Sequence, residues 1–186
     1  MRVIAGRVGG VRLAVPKAGV RPTMDRVKAA IFSSLGDVII GARVLDLFAG
    51  SGALGIEALS RGAVSALFVD EDQRSISAIE KNLAKVKFQA RVCKQDVFDF
   101  LRRRLSSRER FRVIFADPSY ERMESGTGYT EKLLSCQALR EILDPQGFFV
   151  LEKHSSEKIQ EPKLWSVVRA KTYGATEVLF LQGANR

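Results

Sequence analysis

A single histidine and two cysteines among 186 residues leave little for zinc or thiol chemistry. Cys93 and Cys136 form no C-x-x-C pair, and His154 is the one imidazole that could assist them, so neither a metal site nor a disulfide framework is expected. Two buried thiols are the expectation. No apolar run approaches the roughly 20 residues of a membrane-spanning helix. The opening Met-Arg-Val-Ile-Ala-Gly-Arg lacks the apolar stretch of about 7 to 15 residues that a secretory signal requires, so a cytoplasmic protein without membrane partners is expected. Repeats, low-complexity tracts and linkers are absent as well. With 46% hydrophobic content, residues 1–186 suit one domain around one core, and a monomer is expected.

Positive charge is what the chain has in excess. Thirty basic against 21 acidic side chains give a formal net charge of +9, which points to a polyanionic partner. The excess concentrates in residues 1–36, an amino-terminal extension. Through residue 28 only Asp25 offsets Arg2, Arg7, Arg12, Lys17, Arg21, Arg26 and Lys28. Two short apolar runs, Val3 to Ala5 and Val11 to Ala14, flank Gly9-Gly10 and read as a basic hairpin. Arg2, Arg7, Arg12 and Arg21 are its candidate nucleic-acid contacts; the alternative is a solvated hairpin covering a sheet edge. Thr23 is a candidate N-cap for a helix with Val27, Ala30, Ile31 and Leu35 on one face and Gly36 at its end. Arg102-Arg103-Arg104 with Arg108, Arg110 and Arg112 reads as a solvated helix end and loop.

The chain is organised around residues 43 to 55. Val44 to Phe48 read as a buried strand running into a turn in which Gly50, Gly52 and Gly55 satisfy G-x-G-x-x-G. Missing side chains there permit a tight turn, close ligand approach and close packing of helix on strand. Asp46, near the strand's carboxyl end, puts a negative charge where a dinucleotide's pyrophosphate would sit. S-adenosylmethionine, cationic and free of phosphate, suits that position better than NAD. Asp70 ends a second strand, Ser65 to Asp70, at close to the interval of about 20 residues at which doubly wound folds set an acid against ribose hydroxyls. Asp72 fits better as the cap of the following helix, with Ile76, Ile79 and Leu83 on its inner face. A third strand, Ala90 to Cys93, is followed by Asp96. In an open parallel sheet these three acids converge on one crevice beyond the carboxyl ends.

A fourth strand stops at Asp117-Pro118-Ser119-Tyr120. Pro118 donates no backbone hydrogen bond and holds Asp117 extended, leaving a carboxylate, carbonyl oxygens and an aromatic ring together at the strand end. Those groups suit a flat base bearing an amino group, although Asp-Pro-Ser is also an ordinary turn. A helix from Tyr129 to Leu139 and strands Phe148 to Leu151, Trp165 to Ala170 and Glu177 to Leu181 complete the chain. Gly174 marks a closing hairpin.

These stretches together resemble class I S-adenosylmethionine-dependent methyltransferases, and within them the RsmD-type enzymes that methylate guanine N2 in small-subunit (16S) ribosomal RNA. The resemblance rests on residues 21–32 and 45–63, with Phe68-Val-Asp, Asp117-Pro-Ser-Tyr and Tyr173-Gly-Ala-Thr. It implies a doubly wound, mostly parallel seven-stranded Rossmann-like α/β sheet with an antiparallel last strand. It also implies that Asp46, Phe48, Ala49, Gly50 and Gly52 surround the methionine part of the cofactor, Asp70 the ribose, and Asp96 with Val97 the adenine. Thr23 joins that set. Asp117, Pro118, Ser119 and Tyr120 would face the target base. The family pattern usually has a second proline where Ser119 stands, which loosens the loop and bears on rate more than on reaction type. Ribosomal RNA, naked or in a partly assembled small subunit, is the implied partner. Local chemistry leaves open adenine N6 as the acceptor, a non-catalytic RNA binder and, last, a nicotinamide-dependent oxidoreductase.

Overall fold

Val44, Leu45 and Leu47 alternate between two apolar faces, so the strand they form has to be covered on both sides. That strand, β1 (Arg43–Leu47), lies inside a seven-stranded sheet. The computed structural model describes residues 1–16, 25–104, 108–118 and 128–184. β1 pairs in parallel with β2 (Ser65–Asp70) and with β4 (Phe111–Ala116). β3 (Arg91–Lys94) pairs with β2, and β5 (Leu143–His154) with β4, both in parallel. β7 (Thr176–Gly183) then inserts antiparallel between β5 and β6 (Trp165–Tyr173), giving the order β3-β2-β1-β4-β5-β7-β6. The expected antiparallel last strand is therefore observed, and the short link at Gly174, with φ of 62°, closes the β6–β7 hairpin. The order reverses between β1 and β4, which opens a crevice at their carboxyl ends.

One face is covered by the amino-terminal segment, α1 (Asp25–Leu35), α2 (Ala53–Ser60) and α3 (Gln73–Val86). α4 (Val97–Arg104), α5 (Tyr129–Leu134) and α6 (Gln137–Ile142) cover the other. Among the described residues no helix is long and apolar enough to cross a membrane.

Two expectations change. The single helix over Tyr129 to Leu139 is two, because the Ser135 hydroxyl bonds back to the Glu131 and Lys132 carbonyls and Cys136 turns extended before α6. Cys93 and Cys136 are half-buried rather than buried. The amino-terminal hairpin is present as a short one, with an antiparallel Arg2–Arg12 bridge and backbone hydrogen bonds from Val3 to Val11, Gly10 to Val3 and Leu13 to Met1, and it covers a helix. Its Ile4 and Ala5 N–H groups donate to Glu57 at 2.6 and 3.1 Å, and the Ser60 hydroxyl bonds Ala5 and Val8. With this cover α2 is buried on every side, not only along Ile56 and Leu59. Gly6 permits the contact, since a Cβ there would stand 2.0 Å from the Ser60 carbonyl oxygen.

Candidate active site

The glycine turn follows β1 directly and is held from two directions. Asp70, at the end of β2, accepts the Gly50 N–H at 2.8 Å and the Asp72 N–H at 2.9 Å. Each oxygen keeps a lone pair, so the carboxylate braces the turn and can still receive a hydroxyl. Asp46 accepts the Gly55 N–H at 2.9 Å from beneath. Gly50 and Gly52 have φ of 55° and 76°, and a Cβ on Gly55 would stand 2.3 Å from the Phe68 ring. The tight turn and the close packing of helix on strand expected from the spacing are thus present. Asp72 caps α3, as expected, through the Arg74 N–H.

Burial acts against the negative charge expected at Asp46. Its carboxyl is 2% exposed, and burial pushes it up to about 8 despite the Gly55 hydrogen bond; the Asp117 and Asp70 charges add to the rise. A cation beside it would favour the ionised form.

Phe48 takes φ of 54°, which is unusual for a bulky side chain, and it directs the chain from β1 into the turn. Its ring lies 5.4 Å from Tyr129 and 6.3 Å from Phe98, and those two stack at 5.9 Å. Phe98 and Tyr129 open α4 and α5, so this half-buried aromatic wall is assembled from three elements. No local pattern pointed to it. Asp96 accepts the Asp99 N–H at 2.9 Å and so caps α4, beside the buried Val97. Ala49 is buried next to Phe48.

β4 ends at Ala116, which pairs with Leu47 on one side and Leu151 on the other. Asp117 follows the end of β4, and Glu152, the next residue along in β5, stays in the sheet opposite Val178 of β7. Burial, together with the Asp117 and Asp46 charges, holds Glu152 well above the usual carboxylate range. Glu152 was not anticipated, because only the β4–β5 register brings it to the site. Pro118 is buried after Asp117. Ser119, Tyr120, Arg21 and Thr23 lie outside the described residues. Among the described residues two buried side-chain atoms have no hydrogen-bond partner, Glu152 Oε1 and Gln95 Nε2, and they lie near the carboxyl ends of β5 and β3. Orphaned buried groups at such a place fit a bound polar ligand.

Arg2, Arg7 and Arg12 are exposed on the segment over α2. Arg2 pairs with Asp25 at 3.5 Å, Arg7 lies over the Phe88 ring, and Lys85 reaches the Arg12 carbonyl at 2.8 Å. Lys85 therefore joins this basic surface through tertiary contact alone. Of the basic run that begins in the last turn of α4, Arg102 pairs with Asp99, Arg104 with Glu109 and Arg112 with Asp144, in keeping with a helix end and loop neutralised by local acids.

A family model described as Conserved hypothetical protein 95 matches residues 1–182. YlbH of Bacillus subtilis, named as a candidate rRNA methyltransferase, is 38% identical over 182 residues, 96% of each chain. Ribosomal RNA small subunit methyltransferase D of Escherichia coli K12 is 34% identical over 177 residues, 94% of this chain and 85% of its own. The chain belongs to the RsmD family. A solved Escherichia coli structure, yhhF, described as a candidate methyltransferase, superposes with a TM-score of 0.81 at 33% identity, covering 100% of this chain and 99% of that one. Methyltransferases of the same fold are solved with SAH or AdoMet bound. The RsmD-family cofactor is S-adenosylmethionine, and the residues here fit it: a braced glycine turn, carboxyls at or just past four strand ends, and buried polar atoms near strand ends without a partner among the described residues.

Proposed function

We propose that the protein methylates the exocyclic N2 amine of a guanine in small-subunit ribosomal RNA. The observation that carries this reading is the position of Asp117-Pro118, at the end of β4 and in electrostatic contact with Asp46 under the cofactor turn. Names of the relatives support an rRNA substrate, and the basic amino-terminal segment supports a polyanionic one.

S-adenosylmethionine supplies a methyl carbon made electrophilic by its sulfonium leaving group. Asp70 holds the Gly50 turn and has lone pairs left for ribose hydroxyls. Asp117 accepts an N–H of the guanine amine, and the Pro118 carbonyl accepts the other, which aims the nitrogen lone pair along the transfer axis. As positive charge develops on nitrogen these hydrogen bonds strengthen, so they act mainly in the transition state. A carboxylate with pKa near 4 is a weak base for a neutral amine, so proton loss accompanies or follows transfer. Tyr120 supplies the ring on which an unstacked base rests, worth roughly 1 to 3 kcal/mol.

Tritium transfer from labelled cofactor to total RNA, followed by nucleoside mass spectrometry, tests the reading. N2-methylguanosine in small-subunit RNA is expected. N6-methyladenosine, or no transfer to any RNA, would reject it.

A further inference from the structure

Asn82 lies within α3, fully buried, and the proposed reaction gives it no role. An asparagine inside a helix disfavours the helix, and a buried amide is costly unless each of its groups is paired. Every one of them is. Oδ1 accepts the Ala14 N–H at 2.7 Å, and Nδ2 donates to the Ala14 carbonyl and to the Ser51 carbonyl, each at 2.9 Å. One amide therefore clasps both backbone groups of the amino-terminal segment at Ala14 and, with its second N–H, the glycine turn at Ser51. The two are joined again at the other strand of the segment, where the Ser51 hydroxyl lies 3.3 Å from the Met1 sulfur and the Leu13 N–H donates to the Met1 carbonyl.

We propose that Asn82 is a positioning residue that couples cofactor binding at the glycine turn to RNA binding by the amino-terminal segment. The proposal rests on reading Arg2, Arg7 and Arg12 as RNA contacts. The segment and the turn share one rigid clasp, so a ligand that orders the turn removes part of the cost of ordering the segment. By linkage the effect is mutual.

The test uses the full chain, S-adenosylhomocysteine and the RNA it methylates. Saturating S-adenosylhomocysteine should tighten RNA binding by about 5-fold or more, the lower end of common couplings. In hydrogen exchange without RNA it should slow residues 10–16 as well as 49–56. Asn82→Leu, and Asn82→Asp, which loses both donors, should bind each ligand separately but lose the mutual enhancement. Undiminished enhancement in both variants overturns the proposal. So does wild-type exchange that slows at 49–56 and not at 10–16. Where a variant fails to fold, that wild-type exchange decides in either direction. RNA binding unaffected by neutralising the three arginines would remove the interface reading and the coupling with it. That outcome is distinguishable, because protection of residues 10–16 would persist.

Discussion

Gly55 donates its N–H to Asp46 at 2.9 Å, and a Cβ on Gly55 would stand 3.1 Å from that same carboxylate oxygen. The third glycine of the turn thus both packs α2 onto the sheet and holds the buried acid beneath the site.

Gly55→Ala should destabilise the protein by about 1 to 3 kcal/mol, the usual cost of overpacking a filled core. The new methyl would meet the Phe68 ring at 2.3 Å with no room to turn away. Urea denaturation measures it; an unchanged midpoint would mean that the ring yields freely.

Asp46 sets a pH dependence of stability. Its folded pKa, about 8, lies above the unfolded value of 3.8, so the folded state holds an extra proton between them. Stability from this group is complete below about pH 4, falls as pH rises towards 8, and levels off above it. Glu152 shifts in the same direction. Asp46→Asn keeps an acceptor for Gly55 and should flatten the decline in melts taken between pH 6 and 9. A cationic cofactor should also bind the wild type more tightly as pH rises towards 8, with proton release visible as buffer-dependent heat.

Asp70→Ala should weaken cofactor binding by about 1.5 to 3 kcal/mol, the range for a hydrogen bond to a charged group. Loss of the Gly50 brace adds to the direct effect. Calorimetry decides, and unchanged affinity would remove Asp70 from the site.

Asp117→Ala should slow single-turnover methyl transfer by roughly 100-fold or more while cofactor affinity changes little, the pattern for losing one preorganised electrostatic contact. Tyr120→Phe should be mild and Tyr120→Ala severe, because stacking needs the ring and not the hydroxyl. Near-normal transfer by Asp117→Ala would move the chemistry elsewhere.

Neutralising Arg2, Arg7 and Arg12 should weaken RNA binding across sequences and reduce the slope of log affinity against log salt by about 0.7 to 0.9 per lost contact. A salt titration reads this directly. An unchanged slope leaves the three as solvated surface.

Much of this was legible before any coordinates, and what was legible is local. Alternating strands and helices follow from periodicity, and the turn at 50–55 from glycine spacing. Asp70 and Asp117 stand out because each follows an apolar run directly, and Asp96 because it lies just past a strand's carboxyl end. The break between α5 and α6 escaped notice because Ser135 and Cys136 carry no strong stop signal, and the split depends on hydrogen bonds made only once the chain has turned. Phe98 and Tyr129 looked like ordinary helix residues until three elements brought them against Phe48.

By itself, then, the chain's order of residues determined the doubly wound class, the cofactor turn and the strand ends where acids gather, because hydrophobic period and missing side chains act over a few neighbouring residues. Tertiary structure alone decided that burial favours the neutral form of Asp46, that Glu152 stands beside Asp117, and that Glu57 and Asn82 fasten the amino-terminal segment to the site. Those properties depend on burial and on register between residues far apart in sequence. A carboxyl or an amide looks the same in the sequence whether water or packed side chains will surround it.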